Sequence, residues 1–187
     1  MKICNQELAL STLNVRTLRT EESEVELAHG FEEKKFDILG LSEVSRMSEA
    51  IVEKENGDLW RHKRETAGQR GVSFIVKNRI KHLVHEITCV SERIIDPTIK
   101  MKRTKRTLVQ VYAPTESSSD TELENFYELL ETMLHKYKSQ RTIAISDFNS
   151  KVGGREHGET ETVGPYGYGK RNNRGERMVQ FAQENRM

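Results

Sequence analysis

"TIAISDFNSKVGG", residues 142–154, is the stretch on which the fold turns. Thr142, Ile143, Ala144 and Ile145 form a β-branched, apolar run of strand character. It stops abruptly at Asp147, Phe148 and Asn149. A carboxylate and an amide on the tip of a buried strand need a reason. Two other runs end in the same way. "LALSTLNV" (8–15) alternates Leu8, Leu10 and Thr12 with other residues and ends at Asn14, while "FDILGLSEV" (36–44) carries Glu43 directly after "LGLS". On "TLVQVYAPT" (107–115), Tyr112 stands just before Pro114 closes the strand.

Laid side by side, these strand ends would form one cluster of two carboxylates, two amides and a phenol. Hard oxygen ligands of this kind suit Mg2+, which takes one or two carboxylates and keeps several waters. The amides can bond a phosphate without adding negative charge. The combination fits metal-assisted phosphoester hydrolysis. Each residue also has an ordinary use. Asn14 fits a turn, Asp147 fits an Asx-turn, and Glu43 could cap a helix starting near Ser45. Tyr112 fits a core aromatic with its hydroxyl at the rim. The joint pattern favours the chemical reading, because several strands ending in compatible ligands is harder to obtain by accident.

The rest of the chain bounds that reading. Its 187 residues suffice for a single domain over 1–187. Hydrophobic residues are 35% and charged residues 32%, and no apolar run is long enough to span a bilayer. Lys2, Glu7, Arg16 and Arg19 argue against a secretory signal. Cys4 and Cys89 have no framework spacing, so the expected setting is reducing, nuclear or cytoplasmic, without zinc. A net charge of +1 leaves any nucleic-acid binding to a local site.

Helical spacing marks 20–36, with Val25, Leu27, Ala28 and Phe31 as its apolar side, and 120–139, with a stripe from Leu123 to Tyr137. Strands are expected at 71–78 and on either side of the basic run "KMKRTKR" (100–106). That run reads equally as a grip on a nucleic-acid backbone or as a solvated turn. Residues 153–169 are Gly-rich; "GPYGYG" reads as a flexible loop and "GGREHG" is not a phosphate-binding loop. A last helix begins near Gly175. The class is mixed α/β, in layers.

"LSTLNVRTL", "FDILGLSEV", "GVSFIV", "LVQVYAPT" and "TIAISDFNSKVG" resemble, in order and spacing, successive motifs of the endonuclease/exonuclease/phosphatase superfamily. "NVRTL", "YAPTE", "DFNSKVG" and "NNRGERMVQFAQEN" are most similar to the apurinic-type endonuclease domain of non-LTR retrotransposons and to the craniofacial development protein 2-like host group. The resemblance runs from about Leu8 to Met187. It implies a four-layer α/β sandwich, deoxyribonuclease I-like, with Mg2+ as cofactor and DNA as partner. Glu43 would be the main Mg2+ ligand and Asn14 would sit near metal and phosphate. Tyr112 would contact the scissile phosphate, Asp147 would orient or deprotonate the attacking water, and Asn149 would hold a phosphate oxygen. Asn172 or Asn173 falls in the family's polar stretch before the next helix.

The chain also departs from the family. Leu13 stands where Trp is usual, and Ser73 and Ser146 where Gly is common. The family's Asp-His pair would lie beyond Met187, and neither His135 nor His157 is placed to replace it. The expectation is therefore a domain lacking its C-terminal strands. It would descend from a metal-dependent endonuclease and, as given, show little activity. The alternative is a non-catalytic remnant that binds nucleic acid or protein.

Overall fold

A computed structural model describes residues 7–31, 33–45, 50–62, 71–101, 104–137 and 141–187. Cys4, Lys102 and Arg103 lie outside the described residues. The chain divides into two compact units, Met1–Tyr112 with Tyr137–Ser146, and Ala113–Lys136 with Asp147–Met187.

The first unit is built on two sheets. One has the order β1-β2-β5-β4-β3, from β1 (Leu10–Asn14), β2 (Ile38–Ser42), β3 (Ala50–Glu53), β4 (Leu59–His62) and β5 (Val72–Val76). β1 and β2 are parallel, so their connection must cross over, and α1 (Glu21–Gly30) provides it. β2 and β5 are buried at every position. This follows from their largely apolar sequences, ILGLS and VSFIV, which suit strands covered on both faces. Ser73 fills a place where the family resemblance had Gly, and its hydroxyl donates to the Arg61 carbonyl at 2.6 Å on the neighbouring strand.

The second sheet has the order β6-β7-β8-β9, from β6 (Val84–Ser91), β7 (Ile94–Met101), β8 (Thr104–Tyr112) and β9 (Arg141–Asp147). One face of each sheet meets the other: Ile38, Val72, Phe74 and Val76 pack with Ile95, Ile99, Leu108 and Tyr112. The outer face of the first sheet carries Leu39, Leu41, Trp60 and Ile75, against which Leu27 of α1 and its C-cap Phe31 pack. The unit is thus three layers, helix on sheet on sheet, as a layered α/β class requires.

Two details differ from the sequence reading. Val25 was expected on the inner side of α1 and is 66% exposed. The inward face instead runs Glu24, Leu27, Phe31, and the buried Glu24 carboxylate is met by Lys54 Nζ at 3.1 Å. The short helix α2 (Asn78–Lys81) follows β5, so the strand expected over 71–78 ends before residue 78.

The second unit holds α3 (Asp120–Lys136) and α4 (Asn173–Glu184). The stripe of α3 is as spaced, with Leu123, Phe126, Tyr127, Leu130 and Met133 buried. Tyr127 packs on Phe181 of α4 with ring centroids 4.8 Å apart. The Arg177 guanidinium stacks over the Tyr127 ring at 4.7 Å and forks onto Glu124.

The glycine-rich segment before α4, expected to be a flexible loop, is tied down. Glu159 grips Arg171 through both carboxylate oxygens, with Arg171 Nη2 to Oε2 at 2.6 Å, and Arg171 Nε donates to the Val152 carbonyl at 2.7 Å. Gly167 lies against the Gly153 carbonyl so closely that a Cβ there would collide with it. The rings of Tyr166 and Tyr168 stand out from this clamp, 95% and 98% exposed.

Candidate functional site

The parallel register of β1 and β2 sets Asn14 opposite Ser42, one residue before Glu43. Neighbouring parallel strands that end at one level must bring their next polar side chains together. Asn14 Nδ2 accordingly donates to Glu43 Oε1 at 2.7 Å. Tyr112, the last residue of β8, reaches the same oxygen from the other sheet, its hydroxyl donating at 3.0 Å. Three of the five residues singled out from the sequence therefore meet on one carboxylate. Glu43 is half-buried, and Oε2 takes no hydrogen bond from the described residues of this unit. One oxygen oriented by two neutral donors, with the other open, fits a ligand for a hard cation.

The backbone around this cluster is strained. Glu43, Ser45 and Arg16 are non-glycine residues at φ of 58°, 55° and 59°. Such conformations cost of order 1–3 kcal/mol each and persist only where the surroundings fix them. Here the fixing is visible. Val15 N and Leu18 N donate to the carbonyls of Ser42 and Val44, continuing the ladder past the strand ends. Asn14 Oδ1 accepts from Arg16 N at 3.0 Å, so its ordinary use as a turn residue also holds. The helix near Ser45 that Glu43 could cap would run over residues 46–49, which lie outside the described residues.

Arg93 supports the cluster and carried no signal in the sequence. It is 7% exposed, Nη1 donates to the Tyr112 carbonyl at 3.0 Å, and the guanidinium lies 5.4 Å from the centre of the Tyr112 ring.

Asp147 and Asn149 belong to the second unit. Asp147 Oδ1 accepts from Asn149 N at 2.9 Å, the Asx-turn that strand-end Asp residues commonly form. Asn149, at φ 47°, donates from Nδ2 to the Ala113 carbonyl at 2.8 Å, and Ala113 N donates to the Asp147 carbonyl at 3.1 Å. These two side chains are held to one another by the backbone between them. Asn172 is the N-cap of α4: its Oδ1 accepts from Gly175 N at 2.9 Å and from Lys151 N at 3.0 Å. Gly175 is required there, because a Cβ would meet the Lys151 carbonyl. Asn173 lines a cleft of about 300 Å³ with Glu116, Asp120, Glu124, Arg174 and Arg177, whose cations are paired with its acids. His135 and His157 are both exposed. No cluster of three or more His, Cys, Asp or Glu exists among the described residues. A Mg2+ site of one or two carboxylates does not need one.

The endonuclease domain of TRAS1, a telomere-specific non-LTR retrotransposon, matches this fold with a TM-score of 0.61 at 16% identity, over 96% of this chain and 71% of that one. The AP endonuclease LMAP of Leishmania major matches with a TM-score of 0.65 at 15% identity, over 95% and 66%. The chain has the endonuclease/exonuclease/phosphatase fold. No protein-family model matches it. In sequence it is 29% identical over 188 residues to Craniofacial development protein 2 of Bos taurus, covering 100% of this chain and 31% of that protein. The chain therefore spans about a third of the length of the curated relatives it matches. Within the endonuclease/exonuclease/phosphatase fold, the Glu43 cluster lies where two sheets bring their strand ends together. No helix among the described residues is long and apolar enough to cross a membrane.

Proposed function

We propose that this chain carries the machinery of a Mg2+-dependent phosphodiester hydrolase of the retrotransposon endonuclease type, acting on DNA. The observation that carries the reading is Glu43, whose Oε1 is fixed by Asn14 and Tyr112 while Oε2 is left open. Glu43 would hold the metal and Asn14 would orient Glu43. Bound there, Mg2+ supplies Lewis-acid polarisation of a phosphoryl oxygen. The Tyr112 hydroxyl can turn from Glu43 to a phosphate oxygen. Asp147 would orient the attacking water and take its proton, a role worth ~10²–10⁴-fold in rate. Asn149 spends one Nδ2 hydrogen on Ala113 and has a second for a phosphate oxygen.

The test is nicking of supercoiled DNA by the purified chain, with and without Mg2+. Asp147→Asn is the informative variant, because an amide oxygen keeps the turn to Asn149 N while the charge is lost. Mg2+-dependent nicking, weak as the sequence reading expects and removed by Asp147→Asn, would support this reading. A second reading, a non-catalytic chain that binds nucleic acid or protein, is favoured by the engagement of Asp147 Oδ1 in its own turn. DNA binding with no nicking in any divalent ion would select it.

A further inference from the structure

We infer that Arg93 is a positioning residue of the Glu43 cluster, setting the reach and angle at which the Tyr112 hydroxyl meets the Glu43 carboxylate. Tyr112 needs such a hold. The register of β7 on β8 ends at Ile94 against Val111, so Tyr112 stands one residue beyond the last position paired to β7. The next residue, Ala113, already belongs to the other unit. The Tyr112 ring is 5% exposed and packs in the apolar layer between the sheets. Apolar burial is non-directional, so it does not by itself fix how far the phenol reaches.

Arg93 supplies the missing direction. Its carbonyl accepts from Tyr112 N at 2.9 Å and its Nη1 donates to the Tyr112 carbonyl at 3.0 Å, so both peptide groups of Tyr112 are tied to one residue. Arg93 is anchored in turn by its own N–H, which donates to Ser91 Oγ at 3.2 Å. The guanidinium lies 5.4 Å from the centre of the Tyr112 ring. A cation there draws on the ring electrons and strengthens the phenol as a donor to Glu43 Oε1, 3.0 Å away. Burying a guanidinium costs desolvation that an apolar side chain of similar length would avoid. The fork and the charge therefore have a use beyond filling space, and both converge on the hydroxyl that orients Glu43. The order of dependence is Arg93, Tyr112, Glu43. Removing an outer partner of a metal ligand typically costs ~10–100-fold in metal affinity. The inference rests on the reading of Glu43 as a Mg2+ ligand, and the test separates the two.

Mg2+ binding is measured by calorimetry for the wild type, Arg93→Met, Arg93→Lys, Tyr112→Phe and the two double variants. Arg93→Met alone should weaken binding by roughly tenfold. Arg93→Lys keeps the charge without the fork and should weaken it less. In the Tyr112→Phe background neither should weaken it further, because no hydroxyl is left to position. A purely structural Arg93 would lower the thermal midpoint and either leave Mg2+ affinity unchanged or reduce it equally in both backgrounds. Each of those outcomes overturns the proposal. A second arm uses no metal. In EDTA, the carboxylate carbon resonance of Glu43, assigned by its loss in Glu43→Gln, should move in the Arg93 variants in the direction that Tyr112→Phe moves it. Added to Tyr112→Phe, the Arg93 substitutions should leave it in place. If the wild type binds no Mg2+ but this resonance follows that pattern, the positioning role stands and the metal reading falls. If the resonance does not respond to Arg93, the proposal falls. Should Arg93→Met not fold, Arg93→Lys carries both arms.

Discussion

Glu43 shows how much a single side chain can report. Its Oε1 is saturated by Asn14 and Tyr112, so a substitution that keeps shape but removes charge isolates the electrostatic part. Glu43→Gln should weaken Mg2+ binding by ~10-fold or more, with an unchanged urea midpoint. Equal calorimetric titrations for the two proteins would contradict it. Asn172 and Asn173 make a second residue-level contrast. The sequence could not choose between them, and the geometry does. Asn172 satisfies two backbone N–H groups, so Asn172→Ala should cost about 1–2 kcal/mol in urea denaturation, while Asn173→Ala should cost little. Asn14, Glu43 and Tyr112 were legible in the sequence because each is a polar group out of place at the end of an apolar run. Arg93 was not, because its use lies in contacts with Tyr112, a residue nineteen positions away.

Among the elements, strands buried on both faces were the easiest to read. β2 and β5 are largely apolar runs and formed where expected. α1 formed as well, with Thr20 capping it through Ser23 N, but its inner face was misjudged. Hydrophobicity pointed to Val25, whereas packing chose the face through Glu24 and compensated the charge with Lys54. The hairpin of β3 and β4 was missed although Asn56-Gly57, a standard turn signal, lies between them. Its flanking strands of four residues each were too short to show a period. The loop between β9 and α4 gives a prediction in pH. The Arg171 guanidinium, with the Glu156 amide, holds the Glu159 carboxyl at about 2, below its ordinary 4.5. A carboxyl depressed in the folded state contributes its full stabilisation above 4.5 and loses it as pH falls through about 2. Hydrogen exchange at Glu156 N, which donates to Glu159, should stay protected through the ordinary carboxylate range and open only near the lower value. Opening centred on 4.5 would show that the clamp is absent in solution.

At the scale of the whole molecule, 30 basic and 29 acidic residues leave little long-range attraction for DNA. Any affinity has to come from a few local cations. Replacing Lys102, Arg103, Lys105 and Arg106 together by Ser tests the basic run, residues 100–106, which spans the end of β7 and the start of β8. A log-log salt slope that flattens by ~0.9 per lost contact assigns it to the nucleic acid, and an unchanged slope assigns it to solvent. The layered α/β class was legible at this scale from the order of the runs, whereas the division into two units was not. That division depends on which segments pack together, and the chain passes from one unit to the other after Tyr112, Lys136 and Ser146. Genetic exchange feels this interleaving. Any single crossover between two such genes parts at least one unit, and a junction after Tyr112 would lay a foreign β9 beside a native β8. Exchanging one unit whole takes three crossovers, after Tyr112, Lys136 and Ser146, so soluble chimaeras with a diverged relative should be rare and the two units should be inherited as one block.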